Sequence, residues 1–430
     1  VLRDLLTRPR GAASRDDSAF YRYLQERTNI PRSVRIDPVD VRFVPVVSSS
    51  PGPKPNVFIF VIDSLRRDYL SPYNPAVSFT PAIGAFARDS VVFTNAFTRY
   101  GGTGLSEPSI WVGGMLPHQQ YMTPVYPLNA LQKLVEGENY RSFVSIDTIL
   151  RMILKPDPST VEIDRGVLTH DLKLERSLAD LVSRLRRGEA QGQPVFAYAQ
   201  PQDLHISTIT REGASVPAGE SYPGFYAPYA SRLKRADAGF GEFLSALREL
   251  GMYDNSIIVL TSDHGDSLGE DGRWGHAYTI FPEVLKVPLI VHVPATLKSR
   301  FASNPAGMAF LTDITPTLYS LLGHEPELRN DVFGRPLFAA RPRDLRAAER
   351  ADGNFLVVSS YGPVYGILGG NGRSLYIADS VNYTEYLFDL TVYPEVSSPA
   401  LSDEQRVAYR ELVRSSVDSI HAFYHVPSQP

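Results

Sequence analysis

Two histidines and several acidic residues stand together in the segment TSDHGDSLGEDGRWGHA, residues 261–277. Asp263 and His264 come directly after the apolar run SIIVLT, and His276 follows His264 by 12 positions. Carboxylate oxygens and imidazole nitrogens are good ligands for Zn²⁺ or Mn²⁺. The segment is therefore interpreted as one part of a divalent-metal site.

Two other apolar runs also end in residues of these types. Asp63 closes the run NVFIFVID, and Asp203 and His205 follow the run PVFAYAQ. In open α/β sheets, ligands bind where the carboxyl ends of the parallel strands meet. We therefore expect these residues, which are distant in sequence, to come together with Asp263 and His264.

A possible nucleophile lies in the segment YGGTGLSEPSIWVGGMLP, residues 100–117. Small residues precede a helix that we predict to start near Leu105, so Thr103 and Ser106 stand at a helix N-terminus. The amides and the dipole of such a terminus favour an anion or a developing alkoxide. A metal ion can activate a hydroxyl group there by lowering its pKa. Thr103 and Ser106 are the two candidate nucleophiles.

Alternating helix and strand patterns surround these segments. LNALQKLVEG precedes RSFVSID, SLADLVSRLRRG precedes PVFAYAQ, and a long helical pattern precedes NSIIVLTSD. This alternation predicts βαβ units and a mostly parallel sheet covered by helices. SVVFTNAFT, residues 90–98, is predicted as one further strand.

The pattern changes after about residue 350, where short strand patterns follow one another and Gly-Asn-Gly indicates a turn. A final amphipathic helix begins at a capping-box pattern of Ser402 and Gln405. We therefore divide the chain into an N-terminal arm and linker at 1–55, a catalytic core at 56–345 and a C-terminal subdomain at 346–430.

Composition excludes several classes of protein. Of 430 residues, 43% are hydrophobic and 21% charged, and the formal net charge is −4. No extended basic patch exists, so nucleic acid is not expected as a partner. Cysteine is absent, which excludes disulfides, thiol nucleophiles and Cys-ligated zinc. The sequence has no apolar run of about 18 residues, the length that spans a membrane. Because it begins with Val1, we expect a processed or truncated chain whose membrane anchor, if it has one, lies outside it.

In order and spacing, these motifs resemble the sulfatase-like branch of the alkaline phosphatase superfamily. The matching pieces are NVFIFVIDSLRRD, the Thr103 segment, TSDHGDSLGEDGRWGHA, VPLIVHVP, DITPTLYSLLG and SLYIADSVNYTEYLFDL. The resemblance implies an α/β fold of the alkaline phosphatase type, with a three-layer αβα sandwich, a mostly parallel sheet and a smaller C-terminal α+β subdomain.

Two groups of enzymes in that branch use different nucleophiles. Sulfatases carry Cys or Ser in a C/S-x-P-S-R motif, whereas residues 106–110 read SEPSI, with Ile110 in place of the arginine. Phosphoethanolamine and phosphoglycerol transferases use a threonine three residues before Ser-x-Pro, the place of Thr103, and share the SDHG-x-SLGE-x-G…H pattern. They usually carry Glu where this chain has Asp63. The motifs are therefore more similar to those of the transferases.

The transferase resemblance also implies a role for each candidate residue. One divalent ion, Zn²⁺ or Mn²⁺ (Ca²⁺ in a sulfatase), would be held by Asp63, Thr103, Asp263 and His264. Thr103 would be the nucleophile. His205 and His276 would hold the transferred group or a second metal.

The implied function is that of a metal-dependent phospho-group transferase or phosphodiesterase. Its substrate would be an envelope phospholipid or glycan, on the periplasmic or extracellular face of a membrane. Two alternatives stay open, a sulfatase that uses Ser106 and a non-catalytic lipid-binding regulator with the same fold. The sequence gives no indication of the oligomeric state.

Overall fold

The computed structural model describes residues 15–30, 34, 36, 39–47, 52–118, 125–276, 278–327, 330, 332–341, 345, 353–392, 396–397 and 401–427. The α-helices within these residues are, in chain order, α1 (Arg15–Thr28), α2 (Pro81–Arg88), α3 (Thr103–Val112), α4 (Ala130–Gly137), α5 (Leu150–Ile153), α6 (Leu174–Arg186), α7 (Ile206–Arg211), α8 (Ala227–Glu249), α9 (Pro282–Leu285), α10 (Ala295–Lys298), α11 (Ile314–Leu321) and α12 (Asp403–Phe423). None of these helices combines the length and apolar character needed to cross a membrane.

A seven-stranded sheet forms the centre of the protein. Its strands are β1 (Asn56–Val61), β2 (Val91–Val92), β3 (Arg141–Ser145), β4 (Thr160–Ile163), β5 (Val195–Ala199), β6 (Ser256–Thr261) and β7 (Leu289–His292). Their spatial order is β2-β7-β6-β1-β5-β3-β4. Strands β1, β3, β4, β5 and β6 run parallel, and β7 is antiparallel to both of its neighbours. The prediction of a mostly parallel sheet is confirmed.

Helices cover both faces of this sheet. Every residue of β1 is buried, as expected for a continuous apolar strand in a covered parallel sheet. Because successive side chains of a strand point to opposite faces, Val57 and Ile59 join one core while Phe58 and Phe60 join the other. Helices α3, α4 and α11 pack on the first face, and α2, α6 and α8 pack on the second. The result is the predicted three-layer α/β/α arrangement.

A smaller antiparallel sheet follows in the C-terminal part. Its strands are β8 (Phe355–Val358), β9 (Val364–Gly369), β10 (Ser374–Asp379), β11 (Thr384–Asp389) and β12 (Val396–Ser397), each paired with the next. The predicted turn is present between β9 and β10, where Gly370, Asn371 and Gly372 all have positive φ. A third core joins this sheet to the rest of the protein through Phe97 and Phe310. The small C-terminal sheet is confirmed.

The two terminal helices of the described chain pack against each other. Tyr23 in α1 donates a hydrogen bond to Asp418 in α12 over 2.8 Å, and Gln25 donates to the Ser380 carbonyl over 3.1 Å. The predicted capping box starts α12, because Ser402 and Gln405 each bond the backbone N–H of the other. Helix α1 is therefore attached to the C-terminal part of the chain.

The single strand predicted over residues 90–98 is wrong. Val91–Val92 pair with β7 in the central sheet, whereas Asn95–Phe97 pair in parallel with Met308–Phe310 in a separate two-stranded sheet. The Phe93 amide donates to the Leu289 carbonyl, but the Thr94 amide donates to Pro305. The backbone changes its partner between these two residues, which divides the apolar run into two short strands.

Candidate active site

Four of the predicted site residues meet at the carboxyl ends of two neighbouring strands. Asp63 follows β1, Asp263 and His264 follow β6, and these strands pair in parallel along their length. Each of the three residues offers a ligand atom within 4.8 Å of the others, and all three side chains are buried. The Oγ1 atom of Thr103 lies 3.2 Å from Asp63 Oδ2, 2.7 Å from Asp263 Oδ2 and 3.2 Å from His264 Nε2.

The start of α3 places Thr103 in this group. The helix begins at Thr103, two residues before the predicted start, so the hydroxyl belongs to its first turn. Gly101 leaves no room for a side chain, since an added Cβ would lie 2.2 Å from the Thr279 carbonyl oxygen. Gly101 therefore lets the backbone before Thr103 pack closely against the backbone of Thr279.

The electrostatics of the group favour a bound cation. Burial, followed by repulsion from Asp63, raises the pKa of Asp263 above its ordinary value. Burial also opposes ionisation of Asp63, but the positive charge of His205 and His264 and the hydrogen bond from Ser64 outweigh that effect and lower its pKa. Two buried carboxylates that share one hydroxyl need positive charge between them.

The ring of His264 is oriented for ligation. Its Nδ1 atom lies 2.8 Å from the Gly265 carbonyl oxygen, so Nδ1 carries the proton and Nε2 presents its lone pair toward Thr103. The resulting donors, two carboxylates, one imidazole nitrogen and one hydroxyl, are the types that Zn²⁺ and Mn²⁺ accept. Asp63, Asp263, His264 and Thr103 could therefore hold a divalent cation.

Two amides that the sequence reasoning did not select hold the carboxylates in place. Gln202 donates to Asp63 Oδ2 over 2.7 Å, and Gln200 donates to Asp263 Oδ2 over 3.0 Å. Both follow β5, the strand that pairs with the other side of β1. Their place after the PVFAYA run was the only available signal, because amides are not themselves usual ligands for these ions.

His205 and His276 lie beside the group, with ring centroids 4.9 Å apart, and the His276 ring lies 4.0 Å from that of His264. The Ser207 amide donates to Nδ1 of His205, so its Nε2 carries the proton and can donate to an anion. Nδ1 of His276 lies 3.2 Å from Asp266 Oδ1 and donates to it, which leaves Nε2 as an acceptor. The two imidazoles therefore offer opposite hydrogen-bonding roles.

Asp266 is a further buried carboxylate missed by the sequence reasoning. Burial raises the pKa of Asp266 to about 7. Arg66 holds the loop that carries it, by donating to the Asp266 carbonyl over 2.8 Å and to Glu270 over 2.7 Å. Asp266 stood inside the Asp-His-Gly segment, but only the fold reveals that it orients His276.

Two other candidates from the sequence occupy different places. The Asp203 carboxylate accepts a hydrogen bond from the Leu174 amide over 2.7 Å and does not join the Asp63 group, so the expectation that it would is wrong. Ser106 is fully buried, and its hydroxyl donates to the carbonyl of Asp263. Ser106 therefore contacts the backbone of the site, whereas Thr103 contacts its side chains.

A tyrosine from the C-terminal part lies beside Thr103. The hydroxyl of Tyr361 accepts a hydrogen bond from the Gly104 amide over 3.0 Å, next to Thr103. Burial, and then the negative charges of Asp63 and Asp263, raise the pKa of Tyr361. The phenol consequently keeps its proton at neutral pH.

Known proteins resemble this chain in sequence. Residues 138–324 match the family model described as Sulfatase. Over 196 residues, 41% of the chain, it is 31% identical to the low-salt glycan biosynthesis sulfotransferase Agl7 of Haloferax volcanii, and the match covers 46% of that protein. The chain thus spans less than half the length of the curated relatives it matches first.

Two solved structures share the fold. The lipoteichoic acid synthase LtaP of Listeria monocytogenes aligns with a TM-score of 0.60 at 14% identity, over 93% of this chain and 98% of that one. A protein of the alkaline phosphatase superfamily from Vibrio parahaemolyticus aligns with a TM-score of 0.59 at 13% identity, over 96% of this chain and 98% of that one. The chain therefore contains a segment similar to the sulfatase family and shares its fold with a protein of the alkaline phosphatase superfamily.

Proposed function

We propose that this protein is a metal-dependent phospho-group transferase or phosphodiesterase with Thr103 as its nucleophile. One observation carries the proposal: the Thr103 hydroxyl contacts Asp63, Asp263 and His264 at once, over 2.7 to 3.2 Å. A divalent ion held by these residues would lower the pKa of that hydroxyl and offset charge on the transferred group. The buried position of Ser106 supports Thr103 as the nucleophile.

The reaction would take place in two steps. In the first, Thr103 Oγ1 bonds to phosphorus while the bond from phosphorus to the leaving oxygen breaks, and that oxygen keeps the electron pair. Asp263 Oδ2 accepts the Thr103 proton, which ends on the leaving alcohol. In the second step an acceptor hydroxyl or water attacks phosphorus, the Oγ1–phosphorus bond breaks, and Thr103 regains a proton from the attacking group.

The histidines beside Thr103 would hold the phospho group. His205 can donate from Nε2 to a phosphoryl oxygen, because Nδ1 is already an acceptor for the Ser207 amide. His276 presents an unprotonated Nε2 that can accept from a substrate hydroxyl, because its Nδ1 faces Asp266. Burial, followed by repulsion from His264 and His205, holds the pKa of His276 well below its ordinary value. We assign His205 to the phospho group and His276 to the attacking or leaving alcohol.

We propose an envelope phospholipid or glycan as the substrate, on the periplasmic or extracellular face of a membrane. The motif resemblance to phosphoethanolamine and phosphoglycerol transferases supports this class. The fold shared with a lipoteichoic acid synthase and the sequence match to a glycan biosynthesis sulfotransferase are consistent with it. The donor, the acceptor and the choice between transfer and hydrolysis depend on which nucleophile reaches the phospho-threonine.

Sulfuric-ester hydrolysis is a second candidate, favoured by the sulfatase model that matches residues 138–324. A sulfatase of this branch would use Ser106 and Ca²⁺. One experiment separates the two functions: the metal-loaded protein is given an aryl phosphodiester, an aryl phosphomonoester and an aryl sulfate, with Thr103→Ala and Ser106→Ala as matched variants.

We expect turnover of the diester that is lost in Thr103→Ala and retained in Ser106→Ala. Sulfate turnover that depends on Ser106 would contradict the proposal and identify a sulfatase. If no substrate is turned over and no metal binds, the remaining interpretation is a non-catalytic lipid-binding regulator.

A further inference from the structure

The C-terminal part of the chain reaches into the site through the segment 358–362. The Val358 amide donates to the Arg99 carbonyl over 2.9 Å, and the Gly101 amide donates to the Val358 carbonyl over 3.0 Å. Ser360 adds a hydrogen bond from its hydroxyl to the Gly102 carbonyl. The backbone that carries Tyr361 is therefore attached directly to the residues before Thr103.

The packing around the tyrosine ring is close. An added Cβ at Gly102 would lie 2.7 Å from Tyr361 Cε2, so only glycine leaves room for the ring. On the outer side, the ring of Tyr278 lies 6.3 Å from that of Tyr361. These contacts restrict the movement of the phenol beside the first turn of α3.

The hydroxyl of Tyr361 has an unused proton that is available inside the site. Its oxygen accepts the Gly104 N–H over 3.0 Å, and that bond does not use the hydroxyl proton. Among the residues that the structure describes, no acceptor is paired with this proton. A tyrosine hydroxyl is neutral at physiological pH, so it can donate to an anion beside Thr103.

We infer that Tyr361 is a further catalytic residue, which donates a hydrogen bond to a non-bridging oxygen of the phospho group as Thr103 attacks it. The inference rests on the proposed function. Tyr361 keeps its proton throughout, and no bond is made or broken at the phenol. Its contribution is a fixed donor aimed at developing negative charge, and the Gly104 N–H polarises it further.

The test compares Tyr361→Phe, which removes only the hydroxyl, with Tyr278→Phe as the matched control. Tyr278 is 60% exposed and lies on the outer side of the same aromatic pair. With the aryl phosphodiester, we expect Y361F to lose about a hundredfold in kcat, the lower end of the range for one oxyanion donor, with KM little changed. Y278F should behave like the parent chain.

A second measurement does not depend on turnover. We expect orthovanadate, titrated into the zinc-loaded protein, to bind Y361F about ten to a hundred times more weakly than the parent chain, because one hydrogen bond to a charged group is lost. Zinc affinity should be unchanged, since Tyr361 is not among the proposed ligands, whereas the melting temperature should fall slightly, because the Gly104 N–H loses its acceptor.

The results also separate this inference from the proposed function. If diester turnover depends on Thr103 but Y361F keeps both kcat and vanadate affinity within twofold, Tyr361 is not a catalytic residue and the proposed function stands. If the parent chain turns over no diester, the proposed function fails. In that case the vanadate titration alone decides, and absent or equal binding in the two proteins overturns the role of Tyr361.

Discussion

Replacing Gln202 with leucine removes the amide that orients Asp63 and leaves an apolar side chain that is one carbon shorter. The Nε2 atom of Gln202 donates to Asp63 Oδ2 over 2.7 Å inside a buried site. A hydrogen bond to a charged group contributes about 1.5 to 3 kcal/mol, and about 1.4 kcal/mol changes an equilibrium constant tenfold. We expect Q202L to bind Zn²⁺ about ten to a hundred times more weakly, as found for partners of metal ligands in other proteins.

The assay is a competition titration of Zn²⁺ and of Mn²⁺ between the protein and a chromophoric chelator. Gln193→Leu is the matched control, because the Gln193 side-chain amide donates to Asn139 at the surface, over 3.1 to 3.2 Å. Q193L should bind both ions like the parent chain. If Q202L melts cooperatively and still binds Zn²⁺ within twofold of the parent, then Asp63 is not a ligand that depends on this amide, and the reasoning fails.

Three other perturbations test the electrostatics and packing of the site. Burial, followed by repulsion from Asp147 and Asp263, raises the pKa of Glu107 well above 4.5. The protonated Glu107 side chain therefore stabilises the fold at pH values below 4.5, and this stabilisation is lost as the pH rises through the raised pKa. We expect Glu107→Gln to melt at a higher temperature than the parent at pH 8. A difference in melting temperature that does not shrink toward pH 5 would contradict this expectation. Gly102→Ala places a Cβ 2.7 Å from the Tyr361 ring and should destabilise the fold by about 1 to 3 kcal/mol. Equilibrium unfolding in urea would measure this loss. An unchanged free energy of unfolding would show that the ring is free to move. Chelation with EDTA should lower the melting temperature, and added Zn²⁺ should restore it, because the ion offsets the charge of two buried carboxylates. At a free Zn²⁺ concentration of a hundred times Kd, the free energy of unfolding should rise by about 2.7 kcal/mol. Equal melting temperatures with and without Zn²⁺ would argue against a metal site.

Much of the sheet could be predicted from the sequence because its signals are local. The continuous apolar runs of β1 and β6 predicted buried parallel strands, and both strands are buried throughout. The residue that follows such a run lies at the carboxyl end of the sheet, so strand pairing alone brings Asp63 beside Asp263 and His264. The same rule was wrong for Asp203, because its carboxylate instead accepts a hydrogen bond from the amide at the start of α6.

The sequence by itself determined the residue types at these strand ends, Asp63, Asp263 and His264, and the motif resemblance added Thr103 at the start of α3. Only the tertiary structure decided what surrounds that group. Gln202 bonds an aspartate 139 positions away, and Tyr361 bonds an amide 257 positions away. Periodicity cannot predict such contacts, because it reports which face of an element is buried and not which element covers that face. Two features of the fold decide which elements lie beside the group. They are the order of the strands in the central sheet and the course of residues 99–103 along the segment 358–362.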